Sequence, residues 1–220
     1  MRSESPFGVH TLLRLTPDCQ MEHDGARPEW LDVHPQWTRW AVVRRAFARP
    51  GWCAVGFRGT LRAQRWAALI AVAAVEHVVA PGELAGGLAL ADLQRRKHIP
   101  AIAIFPRVAQ ALAAHLPGVA WGPTGSVGLE LASGMPWATP NSDLDLAVRA
   151  DSPIDVQVAR ALHEALAHLP ARVDVLVETS LGAVSLADLA LRPGPWLLRT
   201  SDGPRLTKCL WPTSACIHAA

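Results

Sequence analysis

The sequence predicts an α+β (α/β) protein in two parts: a C-terminal domain with a mixed sheet flanked by helices, and a smaller α+β N-terminal domain. Three observations lead there. Leu144–Arg149 and the valine-rich Arg172–Thr179 show the period-2 alternation of strands, and between them Pro153–Leu169 carries an amphipathic helical pattern. The first half instead mixes short strand-like runs with helical ones. Pro117-Gly118 breaks the chain between these regimes, so the expected boundary lies near 116–118. The expected domains are then residues 1–117 and 118–220.

In chain order, Leu12–Leu15, Trp40–Arg45 and Cys53–Phe57 read as strands. Leu61–Val79 reads as a helix, because Leu61, Arg65, Ala68, Val72 and Val75 fall at helical spacing before Pro81-Gly82. Pro106 opens and Pro117 closes a short helix over Val108–Leu116. Val119–Trp121 is a short strand, followed by a turn at Gly122–Gly125 and a helix from Ser126 to Ala132. Pro153 suits the first turn of the long helix. After a turn at Gly182, Ser185–Leu191 is helical, and Trp196–Thr200 with Arg205–Lys208 forms a hairpin around Ser201-Asp202-Gly203.

Composition narrows the function. Half of the 220 residues are hydrophobic, enough for a substantial core without disulfide staples. The formal charge of +2 and the lack of a dense basic run exclude a general nucleic-acid binder, which must neutralise many phosphates. Cys19, Cys53, Cys209 and Cys216 form no CxxC pair and have no histidine at zinc-ligand spacing, so reduced thiols are expected. With no signal-like N-terminus and no membrane-length apolar run, the sequence reads as a soluble cytoplasmic protein.

Three features of the second half carry chemistry. Gly125-Ser126 follows a strand and opens a helix, where unsatisfied backbone N–H groups can hold phosphate oxygens and the Ser126 hydroxyl adds a donor. In Ser142-Asp-Leu-Asp-Leu146, strand alternation puts Asp143 and Asp145 on one face and Leu144 and Leu146 on the other. Paired carboxylates of this kind suit Mg2+, which takes one or two of them and fills its remaining positions with water and phosphate oxygens. Asp174 stands in an otherwise aliphatic strand, where a carboxylate is costly without compensation that a shared metal supplies. Together these make a metal-dependent phosphoryl-transfer site with Asp143, Asp145 and Asp174 as catalytic metal ligands and Gly125 and Ser126 as phosphate binders. The order GS, DxD and later Asp resembles the polymerase-β-like nucleotidyltransferase superfamily. The spacer Val127–Ser142 is longer than usual there and points to a particular branch.

A closer resemblance follows from Gly122-Pro-Thr-Gly-Ser-Val-Gly-Leu-Glu-Leu-Ala-Ser-Gly-Met135, then Asn141-Ser-Asp-Leu-Asp-Leu146. It extends to Arg172–Thr179, Gly182–Leu186 and 197–204, and upstream to Val42–Arg45, Val55–Arg58 and the Arg62/Arg65/Trp66 segment. These residues look like the malonate decarboxylase holo-acyl-carrier-protein synthases, also called phosphoribosyl-dephospho-CoA transferases. The resemblance implies a triphosphoribosyl-dephospho-CoA donor and a serine acceptor on the acyl-carrier subunit of malonate decarboxylase, with diphosphate released. It implies that Asp143 and Asp145 bind magnesium, that Asp174 helps bind it and activates the serine, and that Gly125 and Ser126 hold the triphosphate.

Arg44, Arg45, Arg58, Arg62 and Arg65 concentrate positive charge in the first domain. Arg44, Arg45 and Arg58 are taken as candidates for the donor's remaining phosphates, since a guanidinium fork matches phosphate geometry; solvated arginines are the bland alternative. Glu130 either reaches the site or supports its helix. Two rival functions share the aspartates: adenylylation of a small molecule or protein from ATP, and a catalytically silent scaffold on the same fold.

Overall fold

The structure is a computed structural model that describes residues 3–33, 35–59, 61, 63–87 and 96–212. Arg62 and Cys216 lie outside the described residues. The chain divides into two compact units, Met1–Ala80 and Pro81–Ala220.

The first unit contains β1 (Leu12–Leu15), β2 (Met21–Glu22), the single helical turn α1 (Trp30–Val33), β3 (Trp40–Val43), β4 (Trp52–Arg58), β5 (Arg65–Ala71), a 3-10 turn at Val72–Ala74 and β6 (Val75–Val79). Its strands form one antiparallel sheet in the order β2-β5-β4-β3-β1-β6. Alternate residues supply its core: Cys53, Val55 and Phe57 from β4, Trp66, Ala68 and Ile70 from β5, Leu13 and Leu15 from β1. The helix expected over Leu61–Val79 is therefore absent. Over Arg65–Ile70 burial alternates with period 2, and β5 pairs with β4 along its whole length, from Trp52 opposite Ala71 to Arg58 opposite Arg65. The alanines favour a helix locally, but ladder pairing and burial of Trp66 and Ile70 outweigh a propensity of under ~1 kcal/mol per residue.

The second unit contains α2 (Pro81–Gly87), α3 (Pro100–Ala103), α4 (Phe105–His115), β7 (Ala120–Pro123), α5 (Gly125–Ser133), β8 (Leu144–Arg149), α6 (Val156–Ala167), β9 (Val173–Thr179), β10 (Gly182–Ser185), α7 (Leu186–Leu191), β11 (Trp196–Thr200) and β12 (Gly203–Thr207). The sheet order is β12-β11-β10-β9-β8-β7, with β8 and β9 parallel and the other neighbours antiparallel. This mixed sheet agrees with the predicted α+β class. The helix α6 supplies the crossover that a parallel pair requires. It starts at Val156 instead of Pro153 because the Asp155 carboxylate accepts the Gln157 N–H at 2.7 Å and caps the first turn.

The domain boundary near 116–118 is corrected to Pro81. Phe105, Val108 and Leu112 of α4 share a core with Leu144, Leu146 and Val148 of β8 and Leu162 and Leu166 of α6. A helix between two Pro-Gly breaks does not show which sheet receives its apolar stripe. The same core takes Val175, Val177, Val184 and Leu198, so one face of the sheet is packed against helices. Each side chain buried there contributes roughly 1.5–3 kcal/mol. Trp211 closes its edge by donating its indole N–H to the Ala150 carbonyl at 2.8 Å.

Cys209 is disulfide-bonded, against the expectation of reduced thiols, whereas Cys19 and Cys53 are free. Among the described residues, no helix is long and apolar enough to cross a membrane.

Candidate active site

Parity along β8 and β9 fixes the site. The strands pair Leu144 with Val173, Asp145 with Asp174 and Leu146 with Val175. Leu144, Leu146 and Val175 point to the helices. Asp145 and Asp174 therefore share the opposite face, and the residues one pleat earlier, Asp143 and Arg172, join them there. The result is a two-by-two array in which three of four side chains are carboxylates.

Arg172 organises this array. Its Nη2 donates to the Asp174 carboxylate, 2.8 Å from Oδ2 and 3.0 Å from Oδ1, and its Nη1 lies 3.9 Å from Asp143 Oδ2. The hydrogen bond to Asp174, followed by the negative charges of Asp174, Asp143 and Asp145, holds the guanidinium above its usual pKa. A positive charge is thus already drawn to the face where sequence reading expected a metal.

Gly125 joins the array from the other side. Its φ is +58°, and a Cβ built there would fall 2.1 Å from Asp145 Oδ2, so only glycine lets the start of α5 approach this carboxylate. The Thr124 N–H donates to the Asp145 carbonyl at 2.8 Å, tying the turn to β8. Thr124 makes no side-chain cap bond, so the first-turn N–H groups of α5 lack the acceptor an N-cap side chain provides. Ser126 is buried directly behind Gly125.

Sequence reading underrated one brace. Glu130, buried on α5, receives the Arg96 Nε at 2.8 Å on Oε1 and the Ala138 N–H at 2.8 Å on Oε2. Arg96 Nη2 in turn donates to the Ala138 carbonyl at 2.9 Å. The Ala138 peptide is held at both ends, and Ser142 then turns back on Thr139 through its Oγ, which accepts the Thr139 N–H at 2.9 Å. This pins the long spacer that delivers Asp143. Nothing in the sequence marks Arg96; Arg172 was legible, since it has the parity of Asp174.

The structure thus sets Asp143, Asp145 and Asp174 on one face, with Gly125 and Ser126 adjoining them. It does not close the three carboxylates around one point: among the described residues, no group of three His, Cys, Asp or Glu side chains is gathered as a metal cage. Asp143 and Asp174 are drawn to Arg172 instead. The donor set still fits magnesium in kind, being hard carboxylate oxygens already balanced by a cation. Arg44, Arg45 and Arg58 belong to the first unit. Arg44 is exposed just past β3, its stem beside Gly56, Arg45 follows it, and Arg58 ends β4 opposite Arg65.

Comparison with known proteins decides the family. Residues 8–81 match the N-terminal domain of the phosphoribosyl-dephospho-CoA transferase MdcG, and residues 88–209 match its C-terminal domain. This chain belongs to the phosphoribosyl-dephospho-CoA transferase family. A family member from Azotobacter vinelandii is 40% identical over 188 residues, 86% of this chain and 87% of its own length. Another from Pseudomonas putida is 39% identical over 170 residues, 77% of this chain and 79% of its own. A Klebsiella pneumoniae phosphoribosyl-dephospho-CoA transferase is 37% identical over 205 residues, 92% and 95% of the two chains. No solved structure matches. The two family segments divide where the compact units do, near Pro81. As a member of this family the chain is an enzyme, a transferase.

Proposed function

We propose that this transferase moves the 5″-phosphoribosyl-dephospho-CoA group from its 5″-triphosphate precursor to a serine of the malonate decarboxylase acyl-carrier subunit, releasing diphosphate. The observation that carries this reading is the pairing of Asp145 with Asp174 on adjacent parallel strands, with Asp143 beside them and the Gly125 turn against Asp145.

Each residue has a distinct task. The N–H groups at the start of α5, with the Ser126 hydroxyl, hold the non-transferred phosphates of the donor. Asp174 accepts the hydrogen bond of the incoming serine and takes its proton. The serine Oγ then bonds to the phosphorus nearest the ribose, and the bond from that phosphorus to the diphosphate breaks, the electrons leaving with diphosphate. Asp143, Asp145 and Asp174 would hold Mg2+, which when bound neutralises charge on the phosphates. Arg44, Arg45 and Arg58 are assigned to the donor's other phosphate groups.

Intact mass spectrometry of the carrier subunit, after incubation with enzyme, magnesium and the triphosphoribosyl precursor, tests the reading. A gain equal to the phosphoribosyl-dephospho-CoA group is the expected result. A gain equal to an adenylyl group when ATP alone is supplied would reject the donor.

A further inference from the structure

The array of aspartates occupies only part of its sheet face, and register traces the rest. Glu178 on β9 pairs with Arg149 on β8 and with Ala183 on β10, and Ala183 pairs with Arg199 on β11. Glu178 has the parity of Asp174, so Arg199 and Leu197 lie on the face of the aspartates. On β12 their partners are Pro204 and Leu206 respectively.

The two ends of this face differ. At the β7 end it is covered: Gly122, partner of Ala147, lies so close to α2 that an added Cβ would sit 1.7 Å from the Pro81 carbonyl oxygen. At the other end Leu197 is 46% and Leu206 70% exposed, side by side across the hairpin. A solvent-exposed leucine pair on one strand ladder is an apolar patch, and cations stand beside it. Arg199 lies on this face and Lys208 has the parity of Leu206, whereas Arg205, partner of the core residue Leu198, projects to the other side. Arg199 and Lys208 are both exposed.

We propose that the exposed β11–β12 face, with Leu197 and Leu206 at its centre and Arg199 and Lys208 beside them, docks the acceptor carrier protein. The partner surface it fits has an apolar centre flanked by carboxylates. The proposal rests on the transferase reading above and names the side from which the acceptor serine arrives. Strand spacing sets the reach: Leu197 is two strands across and one pleat along from Asp174, roughly 12 Å, and Leu206 about 16 Å. A standard interface of ~800 Å² per partner is about 30 Å wide, so one footprint covers the leucines and brings a serine to Asp174. Like charge beside the leucines also disfavours a second copy of this chain.

Two double variants test this, Leu197→Glu with Leu206→Glu, and Arg199→Glu with Lys208→Glu. Binding of the apo carrier subunit is measured by calorimetry without donor, and transfer by intact mass. Both variants should melt like the wild type, keep the donor KM within about twofold and raise the carrier Kd and KM at least about tenfold. The charge variant should also lose most of the salt dependence of carrier binding. Unchanged carrier Kd and KM in both variants overturns the docking surface. Carrier binding that depends on the leucines without any mass gain keeps the surface and rejects the donor assignment. A wild-type dimer in light scattering that the leucine variant dissociates overturns it in favour of self-association.

Discussion

Asp145 and Asp174 stand opposite each other on adjacent parallel strands, one pleat beyond Asp143 and Arg172. Two carboxylates at neighbouring ladder positions repel, and the fold tolerates them because Arg172 lies alongside and the donor end of α5 faces Asp145. The expected behaviour of variants follows from that balance.

Replacing Asp143, Asp145 or Asp174 singly by asparagine keeps shape and removes charge. Transfer to the carrier should fall at least about a hundredfold in each case. The melting temperature should hold or rise, since repulsion is relieved. Carrier mass gain and differential scanning calorimetry check both halves; near-wild-type transfer by all three would reject these aspartates as the catalytic set.

Gly125→Ala should damage both fold and function. The residue adopts φ of +58°, and its new methyl group would meet the Asp145 carboxylate. Left-handed backbone in a non-glycine residue costs roughly 1–3 kcal/mol, and displacing Asp145 adds to that. Urea denaturation measures the loss, and transfer should drop with it.

Arg172→Gln removes the cation that holds Asp143 and Asp174. Mn2+ titration by calorimetry should then show tighter binding, on the order of fivefold, because a divalent ion no longer meets a positive charge beside its ligands. Weaker binding would place Arg172 in support of the metal instead of in competition with it.

Glu130→Ala leaves the Arg96 guanidinium without its carboxylate and the Ala138 N–H without its acceptor. Breaking such a pair costs about 2–4 kcal/mol. Glu130→Gln, which can still accept from Ala138, should lose less. If the brace positions Asp143, the alanine variant will also need more magnesium for half-maximal transfer, which loss of stability alone does not cause.

Much of the site was legible because a strand has one simple rule, that alternate residues share a face. That rule placed Asp143 with Asp145 and set Asp174 opposite its valines before any neighbour was known. At Leu61–Val79 two periods competed: Leu61, Arg65, Ala68, Val72 and Val75 fall at helical spacing, while Trp66, Ala68 and Ile70 alternate as a strand, and only the ladder with β4 decides for the strand. Leu197 and Leu206 looked like ordinary hairpin residues, and only register through β9, β10 and β11 puts them on the face of the aspartates.

The sequence by itself determined which side chains stand on each strand's polar face, where the Gly125 turn opens its helix, and the family resemblance. Tertiary structure decided which strands are neighbours: it set Asp145 beside Asp174, brought Arg172 between carboxylates, tied Arg96 to Glu130 and moved the domain boundary to Pro81. The reason is physical. Alternation is a local property of backbone geometry, whereas pairing and packing are chosen by burial and charge among residues far apart in the chain.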